Sequence, residues 1–525
     1  LSDNKKGRSK INGVNLLKMV SSKSENECVK AFSCEIGSRS QTDGKMPTVR
    51  LALTVLAVGF GTSFQYYSNS VVNNAVDVSK RWINTTRISD GQSALDESSF
   101  VRAWSLATTL LQLGAVMSSF VTQAAAERLG RRQSLMVTSC ISALASLLTV
   151  WSILWSNYEA FLIGRFVYGL GLGCGVGLAS LFLCEIAPSS LRGACCAVQQ
   201  LFVGLGNLTA LLVTVPQLLG NERLLWLAFS LPLFPSLIQL LVLSLGHDSP
   251  RHLLLSRGNQ PAANRAARFY LGSSAACDSE LIQLKVIQPV SMGELLRNVQ
   301  CRRMLLIALA VTFGIQFSGI GPIMVFSKTM LTDAGVDDFT ARWATVGLGF
   351  CNFLAPLPAM AMMERVGRRP MLLSGFTVCA FCLTTISVLV HFANHYASKT
   401  LVLAAVPCLY VNQIGFSLAA SVGWTFPAEL FAQRHRSAAL TIVCFFLWTF
   451  QAIAVYTYLP VKERFGVANS FLPYICSLLF DAFLLYKYMP ETRCRSLEAN
   501  ITTEKLPLVN NHCKSSSENN LFQSA

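Results

Sequence analysis

The feature that most limits this chain is a series of apolar stretches, each near the ~20 residues an α-helix needs to cross ~30 Å of hydrocarbon. They lie at residues 50–71, 100–122, 133–155, 160–184, 194–218 and 224–245, and again at 303–327, 340–363, 370–393, 400–426, 437–459 and 468–489. A polar stretch, 246–302, separates the two sets. Inside a bilayer every backbone N–H and C=O must find a partner within its own segment, so the stretches are expected as helices. The expected fold class is all-α integral membrane, with twelve transmembrane helices. Composition agrees, because only 14% of residues are charged, against ~25% in soluble domains.

The charges that remain repeat between the two sets. Glu127-Arg128-Leu129-Gly130-Arg131-Arg132 lies between spans two and three, and Glu364-Arg365-Val366-Gly367-Arg368-Arg369 lies between spans eight and nine. Glu185 closes span four with Arg192 after it; Glu429 closes span ten with Arg436 at the same interval. Asp248-Ser249-Pro250-Arg251 follows span six, and Glu491-Thr492-Arg493 follows span twelve. The same motifs in the same order at the same junctions imply a duplicated six-span unit, giving two pseudo-symmetric six-helix bundles related by an axis along the membrane normal. The domain reading is a disordered tail at 1–49, bundles at 50–245 and 303–490, a linker at 246–302 and a second tail at 491–525. Within the linker, Ala262–Leu271 and Met292–Val299 are amphipathic pieces able to lie along the membrane surface.

Basic residues set the expected orientation. They crowd the N-terminal tail and the linker (Arg251, Arg257, Arg265, Arg268, Lys285, Arg297, Arg302, Arg303) and are sparse at 156–159, 219–223 and 394–400. The tails and linker are therefore expected in the cytoplasm. Asn84-Thr85-Thr86, a glycosylation acceptor, then falls in the longest outer loop, 72–99. The net charge of +15 is spread over tails and short loops rather than one folded face, which argues against nucleic acid. Arginines alone would serve as a positive-inside anchor. They leave the glutamates unexplained, since acidic residues contribute little to topology. Glu127, Arg131, Glu185, Arg192, Glu364, Arg368, Glu429 and Arg436 are expected to form a cytoplasmic latch that holds the outward-facing state and parts when the inside opens.

Other chemistries find little support. Most of the seventeen cysteines lie in apolar runs, as small hydrophobes do. His391 and His395 have helical spacing but no catalytic Glu between them, and no metal-spaced His/Cys set or Walker motif is present. Gly169-x-x-x-Gly173-x-x-x-Gly177 fits close helix packing in lipid better than a nucleotide loop. The chain is expected to be neither an enzyme nor a cofactor or metal binder.

Over residues 50–498 the chain resembles the sugar-porter family of the major facilitator superfamily, particularly the facilitative hexose transporters of animals, with a lean to the fructose and urate branch. The residues that carry the resemblance are Phe64-Gln65-Tyr66, Asn69, Trp104-Ser105-Leu106, Gly164-Arg165, Glu185-Ile186-Ala187-Pro188 through Arg192-Gly193, Gln200-Leu201, Gln316 with Ser318-Gly319, the Glu364–Arg369 block, Trp424, Ala428-Glu429-Leu430-Phe431, Trp448 and Pro490-Glu491-Thr492. The resemblance implies the major facilitator fold, a central cavity that alternates between faces, and solute contacts at Gln200, Gln316, Asn352 and Trp424. Carboxamides both donate and accept, which suits sugar hydroxyls. The sequence departs from the family at Ile315, Gly321-Pro322, Met324-Val325-Phe326, the proline-free stretch from Ser417 to Gly423, and Leu447. Each lost polar contact costs ~1 kcal/mol where a hydroxyl is left unpaired.

Proton-driven relatives carry an Asp where this chain has Asn69, and Leu51 to Ala75 contains no acidic residue. An amide cannot cycle a proton. The expected function is facilitative uniport of a hexose such as glucose or fructose, in the plasma membrane, with a hexose-like solute and membrane lipid as partners and no nucleic acid. The departures keep open a non-sugar organic solute such as urate, and a non-transporting nutrient receptor that signals through its tails.

Overall fold

A computed structural model describes residues 49–89, 91–188, 191–272, 292–396, 399–431 and 433–491. The chain folds as the twelve-helix major facilitator architecture, and each expected span is found as a helix or a helix pair. The first half comprises Val49–Asn74, Glu97–Arg128, Arg131–Leu154, Tyr158–Ile186, Arg192–Val213 and the pair Leu225–Ser230 with Leu233–Leu245. The second comprises Val299–Gln316 with Ile320–Asp333, Asp338–Leu354 with Pro356–Val366, Arg368–Tyr396, Lys399–Leu430, Gln433–Asn469 and Leu472–Tyr488. Of the two expected tails, only Val49 and Glu491 fall within the described residues.

Nine of the described spans are individually long and apolar enough to cross a membrane. Spans one, five and twelve fall short for visible reasons. Span one buries Gln65, Ser68, Asn69, Ser70, Asn73 and Asn74 among its neighbours. The apolar part of span five is Val198–Val213. Span twelve has 17 residues and buries Asp481. Helices buried against other helices tolerate polar groups that lipid would not.

Two boundaries differ from the sequence reading. Span five ends at Val213 rather than at 218, because Pro216 disfavours helix in the residue before it. The stretch 72–99 is not all loop: a second helix, Val76–Ser89, follows span one directly. Its Val76, Val78 and Ile83 are buried, so tertiary packing makes a helix of a segment whose mean character is polar.

Close approaches between helices are made at glycine. Span four packs on span two, where a Cβ added at Gly169 would meet the Leu111 carbonyl oxygen at 2.0 Å and one at Gly173 the Ala115 oxygen at 2.4 Å. Gly177, the third member of that motif, has nothing within 4 Å. The halves meet along spans one and seven, two and eleven, and five and eight. At the last contact Gly204 lies against the backbone of Asn352 and Phe353. Of the linker, Pro250–Leu255, Gln260–Leu271 and Met292–Arg297 are helical, with Ala263, Ala266, Ala267 and Tyr270 buried.

Candidate functional site

On the face that carries the linker, the repeated motifs build the same structure twice. Gly130 and Gly367 adopt φ of 101° and 100°, a region that L side chains rarely enter, so each turn can reverse the chain between two spans. The helix that follows opens with orphan backbone N–H groups. Asp248 accepts the Arg132 N–H at 3.0 Å. Glu491 accepts the Arg368 and Arg369 N–H groups, both at 3.0 Å. Arg132 donates to the carbonyls of Leu243 and Ser244, and Arg369 to that of Tyr486. A carboxylate just beyond the last span of each half thus caps the third span of the same half, where the helix dipole also favours it.

The neighbouring arginines carry the ion pairs. Arg131 meets Glu185 at 3.1 Å and Arg368 meets Glu429 at 2.8 Å. Each of these pairs lies inside one half. Glu127 accepts from Gln123 Nε2 at 2.9 Å and is exposed. Arg436 is half-buried, with Arg251 and Glu429 close enough for their charges to act on it. The side chains of Arg192 and Glu364 lie outside the described residues. Thr441 also donates to Gln123 across the halves on this face. Among the described residues one feature is found in the first half alone. Arg131 donates to His252 Nδ1 at 2.5 Å, and burial together with that guanidinium holds His252 below the ordinary histidine value.

Between the faces, buried polar groups line the contact of the two halves. Ser70 donates to Asn207 Oδ1 at 2.7 Å, and Asn207 donates to Asn352 Oδ1 at 3.1 Å, a chain from span one through span five to span eight. Gln316 donates to the Leu447 carbonyl at 3.2 Å and to Gln451 Oε1 at 3.4 Å. Gln200 is half-buried one turn before Gly204, on the face turned toward span eight. Trp424 keeps 36% of its surface exposed. Among the described residues no hydrogen bond joins any two of Gln200, Gln316, Asn352 and Trp424. Gln112 donates to Asn69 Oδ1 at 2.7 Å. Arg165, only 1% exposed, donates to the Ser68 and Ala107 carbonyls at 2.5 and 3.3 Å. No carboxylate pairs with it among the described residues.

The opposite face holds a cluster that the sequence did not announce. Lys328 at the end of span seven meets Asp77 at 2.5 Å and Asp338 at 2.7 Å. Arg342 of span eight meets the same two carboxylates at 2.6 and 2.7 Å. The side chains of both cations are nearly buried, at 5% and 7% exposed. Asp77 belongs to the first half, so the cluster crosses between halves. Asn73 reinforces it, donating to the Met324 carbonyl at 2.9 Å and to Ser327 Oγ at 2.8 Å and accepting the Lys328 N–H at 3.0 Å. Arg342 also donates to the Asn74 carbonyl at 2.8 Å. A cavity of ≈ 140 Å³ lies beside the cluster, lined in part by Lys80, Glu97, Trp104 and Lys462. Lys328, directly after the apolar stretch 303–327, was the available signal, since a cation at the edge of a span needs a partner. Asn84, on the same face, is half-buried on helix Val76–Ser89 and accepts the Leu95 N–H at 3.1 Å.

Comparisons place this arrangement among known proteins. The chain is 27% identical over 455 residues to mouse "Solute carrier family 2, facilitated glucose transporter member 7", covering 85% of this chain and 88% of the relative. It is 28% identical to horse member 5, covering 86% and 91%, and 29% identical to human member 4, covering 88% and 92%. The fold is similar to that of a solved structure of the xylose transporter XylE from E. coli, itself in a partially occluded inward open conformation, with a TM-score of 0.71 at 19% identity over 86% of this chain and 100% of that one. A second structure, the proton:xylose symporter XylE bound to 6-bromo-6-deoxy-D-glucose, gives 0.70 at 19% identity, covering 86% and 99%. The family model described as "Sugar (and other) transporter" matches residues 53–502, and with two halves of matching charged junctions around a polar seam, the chain belongs to that family of membrane transporters.

Proposed function

We propose that this protein is a facilitative uniporter of a hexose such as glucose or fructose that works by alternating access. The observation that carries the reading is the contrast in how charges pair. On the linker face, Arg131–Glu185 and Arg368–Glu429 brace each half internally, while on the opposite face Lys328 and Arg342 join the halves. Two braced lobes held together at one end can rock about the seam between them. The names of the relatives, facilitated glucose transporters, support a hexose. Gln200, Gln316, Asn352 and Trp424 are the solute contacts of this reading; Gln316 and Asn352 already hydrogen-bond within the seam and would exchange those partners for sugar hydroxyls at little net cost.

Uncoupled transport rests on Asn69 and Arg165. The amide of Asn69 pairs with Gln112, and the guanidinium of Arg165 is satisfied by backbone carbonyls. Neither exchanges a proton. The domain limits follow from the same reading: bundles at 50–245 and 303–490, the linker between them and a tail at each end. The linker face and both tails lie in the cytoplasm of a cell whose plasma membrane the protein spans, with Asn84 outside and glycosylated. Glu127, Arg131, Glu185, Arg192, Glu364, Arg368, Glu429 and Arg436 are the latch of the outward-facing state, pairing across the halves when the linker-side helix ends come together.

Uptake into proteoliposomes of purified protein, with glucose, fructose and urate offered separately, tests the function. Saturable uptake of a hexose that an acid-outside gradient does not accelerate is expected. Uptake of urate alone supports the second reading, which the apolar replacements at Ile315, Met324, Val325 and Leu447 favour. Uptake of none of the three, with hexose binding retained, supports a receptor.

A further inference from the structure

Asp481 is the one carboxylate among the described residues buried at mid-length in a span, the tenth residue of Leu472–Tyr488 and 1% exposed. Its Oδ2 has no hydrogen-bond partner, and no ion pair involves it among the described residues. A bare carboxylate in hydrocarbon costs several kcal/mol, and such a group takes up a proton rather than carry the charge.

The site is built to hold this carboxyl. A Cβ added at Gly314 in span seven would lie 2.1 Å from Oδ2, so glycine leaves the room that the acid fills. Phe376 of span nine closes the same space, 2.5 Å from that Cβ position. Spans seven and nine pack along span twelve. Span eleven meets it where Tyr474 donates to the Ala454 carbonyl and carries Lys462, Glu463 and Arg464 toward its far end. None of the three offers a counter-charge at this level. The arginines of span seven are Arg302 and Arg303 at its opposite end; those of span nine are Arg368 and Arg369 at its start, followed by the thiols Cys379 and Cys382. On span twelve itself the nearest titratable groups are Cys476, Tyr474, Tyr486 and Lys487. Gly314 also lies just before the break in span seven, where Gly319 adopts φ 78° and the helix restarts at Ile320.

We propose that Asp481 is a proton-binding site. Its carboxyl is protonated while spans seven and twelve are packed, and its ionisation draws in water, parts the two helices at Gly314 and arrests the cycle. The proton stays bound through each turnover, so the site controls rate without coupling transport to a proton gradient.

The claim about the proton does not depend on the transport reading, whereas the claim about rate does, so two readouts separate them. The first is infrared spectroscopy of purified protein: a C=O stretch of a protonated carboxyl at about pH 7 that is lost in Asp481→Asn. N,N′-dicyclohexylcarbodiimide, which adds a protonated carboxyl across its C=N bond, should modify the peptide containing Asp481 on mass mapping. An apolar groove lined by Phe376, Leu478, Leu479 and Ala482 gives the reagent a route through lipid. Absence of both the band and the adduct overturns the proposal, whether or not any solute is transported. The second readout is hexose uptake at equal pH on both sides, expected to fall at least several-fold between about pH 6 and about pH 9, the range in which buried carboxyl groups ionise, in the parent and to stay level in Asp481→Asn. The same fall in both proteins removes the link to span seven. Gly314→Ala, which crowds the carboxyl, is the independent variant and should slow the carbodiimide reaction; unchanged kinetics there count against the packed geometry.

Discussion

The two faces of this molecule differ in whether the ion pairs of the described residues cross between its halves. On the linker face, the pairs between described side chains lie inside one half: Arg131 with Glu185, Arg368 with Glu429. On the opposite face, Lys328 and Arg342 reach from the second half to Asp77 in the first. In this state the internal pairs fix the geometry of a lobe, whereas the cross-lobe pairs set the relation between lobes. A transporter needs both kinds, since lobes that deform cannot rock and lobes without a bridge have no preferred state.

The largest expected effect comes from removing the bridge. Breaking a buried pair costs 3–5 kcal/mol; with Asp77 38% exposed and Asp338 55%, about 1–3 kcal/mol is the better figure here. Lys328→Met with Arg342→Met should therefore raise the reaction of a Ser327→Cys thiol with a water-soluble maleimide about 10- to 100-fold. Unchanged reactivity would mean that apolar packing alone holds this face.

Next in size is the latch. Glu185→Gln and Glu429→Gln should each move the population about tenfold the other way, exposing thiols in the seam to reagent added from the linker side. A drop in melting temperature without that shift would make these pairs braces and nothing more.

The glycine turns sharpen the comparison within the linker face. Both pay ~1–3 kcal/mol for a side chain at their φ, but a Cβ at Gly130 would meet Asp248 Oδ2 at 2.0 Å and one at Gly367 would meet Glu491 Oε2 at 3.1 Å. Gly130→Ala should lower the thermal midpoint more than Gly367→Ala, and the reverse order would contradict the cap geometry.

The smallest effect is a pH dependence confined to the first half. A guanidinium can only donate, so His252 Nδ1 accepts from Arg131 only when that nitrogen carries no proton. With its folded value below the ordinary histidine value, His252 contributes stability that is fully present above about pH 6.5 and is lost as pH falls through the folded value. Thermal unfolding at stepwise lower pH should show this loss, about 1 kcal/mol, and His252→Gln should abolish it.

The spans, their pairing into halves and the charged junctions were legible in the sequence because each is a local signal, a run of apolar residues or a short motif that repeats. The cap symmetry of Asp248 and Glu491 was legible as recurrence, though not as hydrogen bonds to Arg132 and Arg368. Asp77, Lys328, Asp338 and Arg342 were not legible as a cluster, because their meeting depends on how span one continues into helix Val76–Ser89, and that helix is made by packing rather than by its own polar pattern. Asp481 is visible as an acid in an apolar run, but only the fold shows that Gly314 makes its cradle.

Two braced lobes bridged at the face opposite the linker are the central feature of this molecule. Spin-label distances measured by pulsed electron resonance test this directly, with one label pair across that face, on helix Val76–Ser89 and span eight, and one pair inside each half. The account predicts that Lys328→Met with Arg342→Met lengthens the cross-face distance while both internal distances hold. Internal distances that change with it, or a cross-face distance that does not move, would contradict it.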